Sequence, residues 1–404
     1  MKYYIYMKNL DTMCVKYDKK SPLSYPSLLK KQINSKVIVD LPTAIIKMLF
    51  SYLDEKSAIQ LSQVNKQLHR DSFPLITKNF SVIQAYPDET KLLIKKLHID
   101  ADEPLGTSLD NLVNLQTLTF YDNFNQSLGT SLNSLVNLQT LNFGKYFNQP
   151  LGTSLNNLRK LQTLTFGYRL NNSKQQLGES LNSLVNLQTL TIRGEFGQPL
   201  GSSLDNLISL QTLTFGDFFN EPLGTSLNSL VNLQTLTFGY YFNNSDQPLG
   251  VSLNSLVNLQ TLKFGQNFKN SNQPLDTSLN SLVNLQTLIF SDEFRQPLGS
   301  SLDNLISLQT LKFGKFFNNS DQPLGTSLNS LVKLQTLTFG DIFNQPLGSS
   351  LNALVNLQTL NFGKYFNQPL DTVLIPLDKL QSLIISQRYS NLLQVGQKYN
   401  IIRV

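Results

Sequence analysis

The stretch FNEPLGTSLNSLVNLQTLTFG, Phe219 to Gly239, decides the fold, because most of the chain consists of copies of it. The segment LQTL starts at Leu115, Leu138, Leu161, Leu187, Leu210, Leu233, Leu259, Leu285, Leu308, Leu334 and Leu357, and an altered copy, LQSL, starts at Leu380. Successive starts are 23 or 26 residues apart. A fixed period in this range marks a solenoid, in which each unit contacts only its neighbours.

One copy shows why. Leu236 and Phe238 alternate with Thr235 and Thr237. That is the period of two of a short strand with threonine on its open face. Gly239 ends the strand, Phe242-Asn243 follows, and Pro248-Leu249-Gly250 signals a turn. Leu253, Leu256, Val257 and Leu259 then recur at roughly helical spacing. The run is short, so it predicts one or two turns of helix or 3₁₀. A single copy has one strand and no second layer. It can bury Leu236, Phe238, Phe242, Leu249 and Leu256 only between neighbours, with strands stacked as a parallel sheet about 4.8 Å apart.

This pattern resembles the leucine-rich repeat, with L-x-x-L-x-F in place of L-x-x-L-x-L. More narrowly it resembles the FNIP repeat, a variant of slime moulds and giant viruses. The motif stands at Phe147-Asn148-Gln149-Pro150, Phe219-Asn220-Glu221-Pro222, Phe343-Asn344-Gln345-Pro346 and Phe366-Asn367-Gln368-Pro369. The resemblance covers roughly Leu97 to Leu383 and implies that the Asn hydrogen-bonds the backbone of the adjacent turn. Gly197, Lys269 and Arg295 replace that Asn, so the ladder should be weaker there. Four copies carry three extra residues just after this position, within Asn171–Gln175, Asn243–Gln247, Lys269–Gln273 and Asn318–Gln322. Their Asn, Ser and Asp content predicts solvated loops on one side of the solenoid.

Residues 37–80 carry no repeat and read as three short helices. Pro42 suits a first helical turn. Ile45, Ile46, Leu49, Tyr52 and Leu53 follow at helical spacing, and Ser57 can cap the next helix. The stretch resembles an F-box through Leu41-Pro42, Ile45, Leu49, Ser51-Tyr52-Leu53-Asp54, Leu61-Ser62 and Val64-Asn65-Lys66. It departs from that family at Ala44, usually Glu, and at Leu68, often Trp. The resemblance implies docking on the Skp-type adaptor of a cullin (SCF) ubiquitin ligase through Leu41, Pro42, Ile45, Leu49 and Leu53. A helical cap closing the solenoid is the alternative.

The expected organisation is an α/β chain in four parts. An irregular leader occupies 1–36 and the small all-α F-box 37–80. A parallel-sheet solenoid of about twelve repeats, with its N-terminal cap, occupies 81–383, and a C-terminal cap or tail occupies 384–404. One cysteine, Cys14, rules out an internal disulfide framework and fits a reducing compartment. The N-terminus has no sustained apolar run for a secretory signal, and no stretch is long enough to span a membrane. The expected location is the cytoplasm, of the host cell if the chain is viral.

The net charge of +6 does not point to nucleic acid. Residues 1–100 hold 16 Lys/Arg against 9 Asp/Glu, while 101–404 hold 17 against 18. The large surface is thus nearly neutral and lacks the basic stripe that phosphates require. Only His69, His98 and Cys14 offer ligand or nucleophile chemistry, at no spacing that makes a zinc site or a catalytic pair. No catalytic residue, metal or cofactor is expected.

The variable positions carry the functional expectation. The outward strand residue changes from copy to copy (Thr237, Lys263, Ile289, Lys312), as do the two residues after the strand glycine (Lys145-Tyr146, Tyr168-Arg169, Asp217-Phe218, Tyr240-Tyr241, Lys315-Phe316, Lys364-Tyr365). Aromatic residues among scattered charges suit a protein-binding face. Its expected members are Tyr146, Tyr168, Arg169, Phe218, Tyr240, Tyr241, Lys263, Lys312, Lys315 and Tyr365. Neutral drift of exposed positions is the alternative reading.

Overall fold

A computed structural model describes residues 75–77, 83–84, 88–92, 94–170, 177–242, 249, 251–268, 275–317, 324–391 and 400–404, together with two short strands near the N-terminus. Those strands, β1 (Tyr4–Ile5) and β2 (Val15–Lys16), pair antiparallel. The chain divides into two compact units, 1–73 and 74–404. The candidate adaptor residues Leu41, Pro42, Ile45, Leu49 and Leu53 lie outside the described residues, as do the four inserted loops.

The second unit is built on one fifteen-stranded sheet whose strands follow chain order. It starts with β3 (Leu75–Thr77), β4 (Lys96–Ile99), β5 (Thr117–Phe120), β6 (Thr140–Asn142) and β7 (Thr163–Phe166). It continues through β8 (Thr189–Ile192), β9 (Thr212–Phe215), β10 (Thr235–Thr237), β11 (Thr261–Lys263) and β12 (Thr287–Ile289). It ends with β13 (Thr310–Lys312), β14 (Thr336–Thr338), β15 (Thr359–Asn361), β16 (Ser382–Ile385) and β17 (Asn400–Arg403). Neighbours pair parallel with no slip: Leu213, Leu236 and Leu262 occupy one register position on β9, β10 and β11. The sheet begins at β3, inside the stretch read from sequence as helical, and β17 adds a strand where that reading ends in a frayed tail.

The strands of the repeat copies, β5 to β15, bury their Leu and the Phe or Ile that follows and turn Thr to the open face, the alternation expected from the sequence, whereas β17 is exposed along its length. The buried phenylalanines form two columns. Phe238 stacks on Phe242 of its own copy at 3.9 Å between ring centroids and on Phe215 and Phe264 of its neighbours at 5.6 and 5.9 Å. Ile192 interrupts one column between Phe166 and Phe215, and Leu170 interrupts the other between Phe147 and Phe196. At the far end Tyr389 stacks on Phe366 and donates its hydroxyl to the Gln368 carbonyl at 3.1 Å, so the motif persists one copy beyond its last clear trace in the sequence.

The return segment of a copy is a chain of tight turns rather than an α-helix. The Ser226, Asn228, Leu230 and Leu233 amides donate to the carbonyls three residues earlier, at 2.9–3.0 Å. Each such turn brings another leucine inward. Among the described residues only Gly178–Leu181 and Asp276–Leu279 are regular 3₁₀ helices. The turn opens on Gly224 at φ +51°, a left-handed conformation that glycine adopts freely. Gly239 is fixed for another reason: a β-carbon there would overlap the carbonyl of Gly216 in the adjacent copy.

Two side-chain ladders tie the copies together. The Asn of the Phe-Asn motif accepts from the backbone of the next copy: Asn125 from Asn148 N–H at 2.8 Å, Asn344 from Asn367, and Asn367 from Ser390. The second ladder uses the Asn of VNLQ. Asn232, Asn258 and Asn284 each donate to the carbonyl of the Val or Ile one copy earlier, at 2.8–2.9 Å.

Candidate protein-binding surface

The row that follows each strand is positioned by backbone bonds between copies. The second residue after the strand glycine donates to the first such residue of the preceding copy, as Tyr241 does to Asp217 at 2.7 Å and Arg169 to Lys145 at 2.9 Å. Successive side chains are thereby held at one-copy spacing along one edge. Buried phenylalanines lie directly behind them, which leaves the row itself facing solvent.

Within this row the structure joins Tyr168, Phe218, Tyr240 and Tyr241. Phe218 meets Tyr241 at 5.0 Å and Tyr168 edge-on at 6.2 Å, and Tyr240 and Tyr241 meet edge-on at 4.6 Å. Phe218, Tyr240 and Tyr241 are about 40% exposed, high for aromatic side chains already in mutual contact. The Tyr168–Phe218 contact spans an intervening copy. That copy carries Gly194, at φ +66° and without a side chain, at the row position of Tyr168, and its Glu195 reaches Arg169.

The remaining candidates group differently. Tyr146 is covered by two cations, Lys145 at 5.2 Å and Arg169 at 5.9 Å, and Arg169 also reaches Glu195 at 3.9 Å. Lys315 lies over Phe316 at 5.2 Å with Arg295 on the same ring at 4.8 Å, and Lys364 lies over Tyr365. Lys263 and Lys312 stand on the sheet face, one strand to either side of Ile289. Asn267 and Glu293 separate the Tyr241 side of the row from Phe316. The aromatic contacts therefore gather at Tyr168–Tyr241, with cation-capped rings to either side.

Sequence reading did not single out Lys145, Glu195 or Arg295 as partners within the row. It also passed over a shallow groove of about 700 Å³ beside the strand starts, lined by Gln188, Gln211, Gln234, Gln260 and Gln286 among others. The strict recurrence of Gln in LQTL was its available signal. His98, on β4, lies with Nδ1 3.3 Å from the Tyr121 hydroxyl. Burial, and secondarily the Lys96 charge, push its pKa below the ordinary 6.5. Among the described residues, no group of three His, Cys, Asp or Glu converges as a metal site would, and no helix is long and apolar enough to cross a membrane.

No protein-family model matches the chain, and no curated protein matches it in sequence. Solved structures match in fold. Internalin InlF of Listeria monocytogenes aligns at a TM-score of 0.56 and 17% identity, over 88% of this chain and all of that one. The TLR13 component of a TLR13–ssRNA13 complex aligns at 0.55 and 16%, over 86% of this chain and 59% of its own. The Drosophila Toll–Spätzle complex aligns at 0.53 and 14%, over 82% of this chain and 47% of the matched one. The 74–404 unit thus has the parallel-sheet solenoid fold of leucine-rich-repeat proteins.

Proposed function

We propose that the chain is a non-enzymatic substrate-recognition subunit of an SCF-type ubiquitin ligase, working in the cytoplasm. Its repeats, read as FNIP-type, bind a target protein. Its 37–80 segment, read as an F-box, docks on a Skp-type adaptor and through it on a cullin. The observation that carries the target-binding half is the row Tyr168, Phe218, Tyr240 and Tyr241, because clustered, half-exposed aromatics on a rigid scaffold suit the centre of a protein interface. The structure of similar fold from Drosophila is a Toll–Spätzle complex, which supports this half by analogy of fold alone. The adaptor half rests on the sequence resemblance at Leu41-Pro42, Ile45, Leu49 and Leu53.

The second reading is a protein-binding scaffold whose N-terminal helices only cap the repeats. Adaptor co-purification separates the two. Leu41→Ala with Pro42→Ala is expected to abolish recovery of the adaptor while circular dichroism shows the repeats still folded. Recovery at the wild-type level would leave the scaffold reading.

A further inference from the structure

A line of aliphatic side chains runs along the turn side of the solenoid. The aliphatic residue two before the Leu of LQTL, in VNLQ, ISLQ or VKLQ, is exposed in eight successive copies: Val185, Ile208, Val231, Val257, Val283, Ile306, Val332 and Val355. Their exposures run from 39 to 54%, although each directly follows a buried leucine. At the strand spacing of about 4.8 Å per copy this makes a ribbon roughly 35–40 Å long. An exposed apolar strip of that continuity marks a contact surface. The residues beside it are the Asn, Ser and Gln of the same copies, with Lys333 as the single charge among the residues immediately following the ribbon positions.

The ribbon ends on opposite charges. The equivalent residue is Arg159 in the copy before Val185 and Asp378 in the copy after Val355, and both are exposed. If two such ribbons lie antiparallel about a two-fold axis between Val257 and Val283, Val185 faces Val355 of the second copy and Ile208 faces Val332. Arg159 then faces Asp378 at both ends. Lys333 falls opposite Ser209, while Lys160 and Lys379, the residues after the two end charges, fall opposite each other, each donating at 2.7 Å to an Asn of its own preceding copy, Asn137 and Asn356. A parallel alignment in register would instead place Arg159 on Arg159 and Asp378 on Asp378.

We infer that this ribbon is a self-association surface, through which two copies of the chain pair antiparallel. The interface would be isologous, each half the same patch. With about half of each side chain exposed, two ribbons cover on the order of 1,000–1,200 Å² together, the lower range of specific interfaces. The polar rows beside the ribbon add to that. The end charges contribute orientation more than affinity. The inference does not depend on the ligase reading.

Sedimentation velocity of the full chain over a wide concentration range tests it, with circular dichroism as the folding control. The wild type is expected to dimerise. Val257→Lys and Val283→Lys, both at exposed positions beside the axis, should each leave a folded monomer. Arg159→Asp should weaken the dimer, as should Asp378→Arg, and the two changes combined should restore it. A wild type monomeric throughout, or a dimer indifferent to Val257→Lys, overturns the inference. So does a dimer that the combined exchange fails to restore, since the antiparallel register requires that pairing. If Val257→Lys instead releases a different protein from a monomeric wild type, the ribbon serves that partner and self-association is overturned.

Discussion

Phe238 shows what holds a repeat chain together. Its ring is buried and stacked on both neighbouring copies, so truncation opens a cavity at two interfaces at once. Phe238→Ala should cost about 3–5 kcal/mol. Thr237→Ala, on the open face one residue away, should cost far less, and comparative thermal melts check the difference. Equal melting would mean the inward and outward faces are exchanged. The inward set was legible in the sequence, because a period of two can be read without a structure. Val257 was not. It belongs to an apolar run at roughly helical spacing, yet the chain of turns leaves it outside the leucine line. Its hydrophobicity alone could not say which way it faces. His98 gives a residue-scale pH effect. Its folded pKa is depressed, so the unfolded chain binds the proton more tightly. Its contribution is therefore present above the ordinary pKa of 6.5 and is lost as pH falls below it. The acid sensitivity of unfolding between pH 7 and 5 should shrink in His98→Gln.

At the scale of an element, spacing decides what the sequence can reveal. The Phe-Asn ladder was an expectation of the repeat resemblance, and Asn125, Asn344 and Asn367 make those bonds. The ladder through Asn232, Asn258 and Asn284 was equally periodic in sequence, but its acceptor is a backbone carbonyl one copy away, which only the stacked geometry identifies. The aromatic row was legible as a list of residues and not as a cluster. Its centre depends on the Tyr168–Phe218 contact across the copy that carries Gly194. Tyr240→Ala with Tyr241→Ala should leave the fold intact and weaken target capture by about 2 kcal/mol, roughly thirtyfold. A binding titration with the captured target checks this. The inserted segments 171–175, 243–247, 269–273 and 318–322 should be cut first in limited proteolysis, since polar loop tips are the usual nicking sites. Mass spectrometry that places first cuts inside LQTLTF would contradict the phasing.

At the scale of the molecule, repetition made the solenoid readable from sequence. Every copy restates the same packing problem, and a strand stacked on its neighbours solves it. The 37–80 segment has no such redundancy, so its identity rests on single residues such as Leu41 and Pro42. In the proposed function the solenoid chooses the target and the N-terminal segment brings it to the ligase. Reconstituted ubiquitin ligation, with adaptor, cullin and a target enriched on the solenoid, measures both in one reaction. Wild-type protein should modify the target, while Leu41→Ala/Pro42→Ala and Tyr240→Ala/Tyr241→Ala should each abolish or sharply reduce modification, for different reasons. Target modification that proceeds at the wild-type rate with the Leu41/Pro42 variant would contradict the account.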